Sequence, residues 1–166
     1  MRVFSETQQF TQWWLWLILA VSTLAVITKP IVTWVLSDFE NSSVFNTSFW
    51  IGGGTMILVL ILFIVFKLTT WIDEKGISYQ FFPIHLKPKM LDWNKIEKIG
   101  TRKYRPLMEF GGWGYRWGMG GKALNVKGNE GIQIKLKNGN SLLIGTQKMN
   151  QAQAVINKYF KKDERI

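Results

Sequence analysis

A chain of 166 residues with no cysteine cannot form a disulfide, ligate a metal through a thiolate or attack a substrate with one. Its 21 Lys and Arg against 11 Asp and Glu give a formal net charge of +10, which suits an anionic surface better than a basic one. Two apolar runs take up much of the first 66 residues, leaving about 100 for a folded domain of ordinary size.

The first run is Trp13 to Leu36, broken only by Lys29-Pro30, and the second, Phe49 to Phe66, carries no charge. At about 1.5 Å rise per residue they reach roughly 36 and 27 Å, against a hydrocarbon core of about 30 Å, so both can span a bilayer. A buried helix of a soluble protein needs apolar neighbours on every side, more than the remaining chain can supply. A cleaved signal peptide fits poorly, because no basic leader beyond Arg2 and no small-x-small site precede Lys29. Trp13, Trp14, Trp16 and Trp34 suit the two water boundaries of the first helix. Pro30 is expected to kink that helix while Lys29 snorkels outward, so that the span finishes near Thr28.

Charge then sets orientation. The connector Ser37 to Ser48 holds Asp38 and Glu40 and no base, whereas residues 67–166 hold 19 Lys and Arg against 8 Asp and Glu. The excess of bases, Lys67 and Lys75 above all, puts residues 37–48 outside and both termini in the cytoplasm of an inner membrane. The triplets at Asn41 and Asn46 match glycosylation acceptors but lie too close to the membrane for use.

Beyond Leu68 the apolar period becomes alternating, so the remainder, residues 68–166, reads as a mainly-β domain after a two-helix hairpin over 1–67. Thr70 to Asp73 and Ile77 to Phe82 form a pair of strands around the turn Glu74-Lys-Gly76. Further strands are expected at Met90 to Trp93, Ile96 to Tyr104, Gly114 to Trp117, Ala123 to Val126, Gly131 to Lys137 and Ser141 to Gly145. Ile132, Ile134 and Leu136 face one side there, with Gln133, Lys135 and Lys137 on the other. Asn138-Gly139 supplies a tight hairpin turn. A helix over about 150–160 closes the chain, with Asn150 and Gln153 as a capping pair and Ala152, Val155, Ile156 and Tyr159 as its apolar stripe. Lys158, Lys161 and Lys162 suit the negative end of its dipole.

Strand after strand closed by one helix, with Thr70-Trp-Ile-Asp-Glu-Lys-Gly-Ile-Ser-Tyr79, Leu91-Asp-Trp-Asn-Lys-Ile-Glu-Lys-Ile99 and Gly145-Thr-Gln147, resembles a bacterial pleckstrin-homology-like domain. The segments Glu109 to Arg116, Asn125 to Gly128 and Leu143 to Gln147 resemble small prokaryotic membrane proteins of this type. The resemblance covers Lys67 to Phe160 and implies a seven-stranded, partly open barrel capped by a C-terminal helix. It implies no catalytic residue.

Two surfaces stand out as candidates. Gly111 to Gly131 holds eight glycines but neither a Walker motif nor a dinucleotide fingerprint. Trp113, Tyr115 and Trp117 alternate within it and are expected to share one face, either as core filling or as an aromatic ledge for a partner. Lys87, Lys89, Arg102, Lys103 and Arg105 form a basic set. Four such bases facing an anionic leaflet contribute about 4 kcal/mol, enough to orient a tethered domain. Nucleic acid is the weaker partner class, since no recognition motif accompanies the charge. Catalysis finds no constellation: His85 is a single loop histidine, Asp73-Glu74 and Asp163-Glu164 are adjacent rather than facing, and metal-ligand spacing is absent.

The sequence therefore points to a non-catalytic binding or scaffolding module without cofactor or metal, anchored in the bilayer and meeting a membrane-associated protein or a second copy. A sensor of anionic lipid headgroups through the basic set is the alternative, and an enzyme comes third.

Overall fold

The computed structural model describes residues 3–36, 47–118 and 120–160. The chain divides into two compact units, Thr11–Val65 and a second made of Met1–Phe10 together with Phe66–Ile166. Residues 37–46, with Asp38, Glu40 and the acceptors Asn41 and Asn46, and residues 161–166, with Lys161, Lys162 and the Asp163-Glu164 pair, lie outside the described residues.

The first unit holds α1 (Trp13–Leu36) and α2 (Thr47–Val65). By length and composition α1 can cross a membrane, and the apolar stretch Phe49–Val65 of α2 is shorter. α1 keeps the expected bounds, continuing through Pro30 to Leu36. Proline removes one N–H from the helical ladder, whereas the hydroxyl of Thr33 donates to the carbonyl of Lys29 beside it. Thr23 and Thr55 likewise donate to Leu19 and Ile51, four residues back, so these hydroxyls are satisfied within their own helices.

The second unit is built from two open sheets. The first has the order β1 (Phe4–Gln9), β2 (Lys67–Ile72), β3 (Gly76–Phe82), β4 (Lys89–Asp92), all antiparallel. The second has the order β5 (Ile96–Lys103), β8 (Glu130–Leu136), β9 (Ser141–Gly145), β7 (Gly121–Asn125), β6 (Gly114–Gly118), with a parallel pair between β7 and β9. A short helix α3 (Pro106–Phe110) follows β5, and α4 (Met149–Tyr159) ends the described chain. Neither sheet closes on itself. Among the described residues there are nine strands, against the seven that the resemblance implies and the eight segments read from the sequence; the one that sequence reading did not place is β1.

Alternation explains how the two sheets form a core. Leu68, Ile72, Ile77 and Phe81 line the inner face of the first, and Ile99, Leu124, Ile132, Ile134, Leu142 and Ile144 that of the second. Ala152 and Ile156 of α4 are fully buried, and Phe160 meets Trp93 at 5.8 Å. The expected cap of α4 does not form. Lys148 occupies the N-cap without a side-chain bond, and Gln153 instead accepts from the backbone N–H and hydroxyl of Thr101, both at 2.8 Å, tying α4 to β5. The Asn138-Gly139 turn does form, with Gly139 at φ +84° and its N–H on the carbonyl of Leu136.

β1 is held by polar groups on its inward side. Glu6, 6% exposed, accepts from the Thr146 hydroxyl and, at 2.7 Å, from the backbone N–H of Gln147. The Gln8 amide donates to the carbonyl of Gly145 at 2.8 Å. Among the described residues no cation pairs with Glu6, so these hydrogen bonds are what offset burial of the carboxylate. Where β1 ends and β2 begins, Phe10 and Phe66 meet edge-on at 6.3 Å, and Phe66 packs on Phe81.

Replacing Glu6 leaves two donors without an acceptor. Glu6→Ala is expected to cost about 1–3 kcal/mol and Glu6→Gln less, since its carbonyl still accepts one bond. Urea unfolding of the detergent-solubilised chain measures both, and wild-type stability in Glu6→Ala would show that the clasp contributes nothing.

Candidate functional site

The five bases read from the sequence do not occupy one sheet. Lys87 lies in the loop after β3 and Lys89 opens β4, both exposed in the first sheet, whereas Arg102 and Lys103 end β5 in the second and Arg105 caps α3. Arg102 is committed internally. Its guanidinium donates to Glu109 at 2.7 Å and to Gln133 at 3.1 Å, with both members of the ion pair 33% exposed. The bond from Arg102, reinforced by the backbone N–H of Arg105, holds the Glu109 carboxyl below the usual range. Arg102 therefore braces α3 against β5 and β8, while Lys103 and Arg105 stay exposed.

The glycine-rich segment forms the edge of the second sheet, because β6 pairs only with β7. Gly118 must lack a side chain: a Cβ there would run into the backbone oxygen of Glu109 and the ring of Phe110, where α3 crosses β6. Behind this edge, Tyr104, Phe110, Ala123 and Leu143 form a buried cluster on the outer face. Burial pushes the Tyr104 hydroxyl up to about 12, so it stays neutral, and it accepts from the Asn125 amide while Asn125 in turn accepts from the N–H of Gly114.

The three aromatic residues part company here. Tyr115 and Trp117 lie on the inner-face register of β6, opposite Leu124 and Lys122, but Trp113 precedes the strand and donates its indole N–H to the carbonyl of Gly128. Gly114, at φ +118°, turns the backbone between them. The core-filling reading fails for Trp117, which is 69% exposed. Its ring lies beneath the ammonium of Lys122 at 4.4 Å, and the same ammonium is 5.8 Å from Tyr115.

His85, expected as an exposed loop residue, is 7% exposed and joins the two sheets. It follows the cis Phe82-Pro83 bond, and its ring stands edge-on to Tyr79 of β3 and Tyr115 of β6, each at 5.8 Å. Its Nδ1 accepts from the N–H of Phe81 at 3.4 Å, which leaves the proton on Nε2. Burial, then Lys89 and Lys122, lowers its proton affinity. Burial and the neighbouring Tyr115 raise that of Tyr79. Only the tertiary fold reveals this grouping, since the five residues, His85 with Tyr79, Lys89, Tyr115 and Lys122, are scattered over 44 positions of chain from Tyr79 to Lys122.

Tyr79 and Lys122 of this group border an open cleft of about 200 Å³ between the sheets, lined by Tyr79 and Leu91 on one side and by Trp117, Lys122, Ser141 and Leu142 on the other. Among the described residues no group of three or more His, Asp or Glu is placed to hold a metal ion. The cleft offers ammonium, hydroxyl and aromatic surfaces.

The histidine supplies a pH signature. With its folded affinity depressed below the ordinary 6.5, both folded and unfolded chains are neutral there above that pH, and only the unfolded chain takes the proton just below it. Stability should be full above pH 6.5 and fall as pH drops from 6.5 toward 5. His85→Phe should flatten that part of the curve whatever its absolute stability, as measured by urea unfolding across pH; an unchanged slope would remove His85 as its source.

Comparison with protein-family models finds none that matches this chain, and a search of curated proteins finds no significant match.

Proposed function

We propose that this chain is a membrane-anchored, non-catalytic binding or scaffolding module. A pleckstrin-homology-like β domain is carried on a two-helix hairpin and presented at the cytoplasmic face of the inner membrane to a membrane-associated protein. The anchoring rests on one observation: β1 precedes α1, β2 follows α2, and the two strands are antiparallel neighbours in register from Phe4 opposite Ile72 to Gln9 opposite Lys67. A chain that crossed a bilayer once between them would leave its sheet partners on opposite sides. Two crossings return it to the same side, and the two apolar helices supply two. Removal of α1 as a signal sequence would also remove β1, with its bonds from Glu6 and Gln8 to residues 145–147. The excess of bases in the domain supports the cytoplasmic side.

The partner reading is carried by Trp117, a large ring 69% exposed on the terminal strand β6. Exposed tryptophan at an unextended sheet edge combines an apolar anchor with backbone groups able to pair with an added strand. The anionic-lipid reading is less favoured, because Arg102 is spent on Glu109 and Gln133 and the remaining bases are divided between two sheets.

A chain without cysteine allows a direct test of both parts. On intact cells, an impermeant maleimide should label Ser43→Cys, and label Lys158→Cys only after permeabilisation; the reverse pattern would overturn the orientation. A photo-reactive amino acid at position 117 should form a defined protein adduct that an equivalent substitution at Lys135 does not. Identical adducts from both positions would overturn the ledge as the partner surface.

A further inference from the structure

We propose that the cleft between the two sheets is a binding site for a small organic carboxylate with an aromatic or otherwise apolar body. The walls are mainly apolar, with Leu91 from the first sheet and Leu142 and the exposed Trp117 from the second among the lining residues. The volume of about 200 Å³ lies below the range of drug-sized pockets, roughly 300–1,000 Å³, so it admits one small ring or chain and excludes a nucleotide.

Charge selects the sign of the ligand. No acidic residue lines the cleft. Lys122 has aromatic faces rather than a carboxylate for company, and Lys89, opposite Tyr79 in the β3–β4 register, is exposed; among the described residues neither takes part in an ion pair. Lys122 lines the cleft, and Lys89, outside the lining, acts on the same His85 as Lys122 does; two ammonium groups that meet no counter-charge from the fold offer an anion what the protein itself does not use. Phosphate is the poorer fit. Its three oxygens call for several converging donors, and beyond Lys122 the side chains lining the cleft contribute the hydroxyls of Tyr79 and Ser141 and the amide of Asn140. A planar carboxylate needs fewer donors and lets its apolar body lie against Trp117 and the leucines. Trp117 is shared with the proposed partner surface, yet the two ideas fail separately, since protein capture at position 117 and small-molecule binding are read by different experiments.

The only histidine in the chain reports on the cleft. The groups that face His85 are Tyr79 from β3, Lys89 from β4, Tyr115 from β6 and Lys122 from β7. An anion seated at Lys122 offsets the field of the lysines at His85 and raises the proton affinity of the imidazole. The experiment is an NMR titration of imidazole-labelled full-length protein in detergent micelles with benzoate, benzamide, benzylamine and inorganic phosphate. Benzoate should shift the His85 resonances and raise its titration midpoint, binding at least about tenfold more tightly than the other three. Lys122→Met and Lys89→Met should each weaken benzoate, and Lys103→Met, at the far end of β5, should not. Should one cleft variant fail to fold, the other and the wild-type ligand series still decide. Equal effects of benzoate and benzamide, tighter binding of phosphate, or no His85 shift at saturating benzoate would each overturn the proposal.

Discussion

The pairing of β1 with β2 is the constraint on which the rest of the structure depends. These strands are separated by 57 intervening residues, Phe10 to Phe66, most of them in the two apolar helices, yet they lie in register over six residue pairs. Closing so long a loop costs only a few kcal/mol of chain entropy, because the cost grows with the logarithm of length. The ladder, the Phe10–Phe66–Phe81 contacts and the bonds from Glu6 and Gln8 to the Gly145–Gln147 segment offset it. The carboxylate of Glu6 thereby links the first strand of the chain to the approach to its last helix.

That link gives the β unit its division of labour. α4 sits against β5, β8, β1 and β2, so one side of the gap between the sheets is covered by Ala152, Ile156 and Phe160. The other side, where β4 and β6 end their sheets, has no such helix among the described residues, and there the inner face comes to the surface as the cleft of Tyr79, Trp117 and Lys122. A core position and a surface position thus share one strand face. Leu124 is fully buried on β7, while Lys122, two residues earlier on the same face, is at the mouth.

Local electrostatics assigns different work to residues of the same type. Arg102 meets Glu109 and Gln133 and becomes a brace for α3; Lys122 meets two aromatic rings and no carboxylate. Protonation of His85 is opposed by burial and by Lys89 and Lys122, the second of which also lines the cleft. The cationic character of the cleft and the neutrality of its histidine are one effect, since each lysine that attracts an anion also opposes a second positive charge.

By itself the sequence determined what depends on local pattern: the two apolar helices, the eight alternating segments from Thr70 to Gly145 that hold β2 to β9, the Gly139 turn and the buried stripe of α4. These follow from spacing within a window of a few residues. β1 escaped because Phe4-Ser-Glu-Thr-Gln-Gln9 puts Glu6 and Gln8 on its buried face, so its alternation is one of partners and not of hydrophobicity. Only the tertiary structure decided where long-range groups meet: Arg102 against Glu109, Gln153 against Thr101 in place of a helix cap, and His85 between Tyr79 and Tyr115. The physical reason is that charge pairing, burial and proton affinity are set by neighbours in space, and those neighbours come from strands that nothing in the local pattern orders side by side.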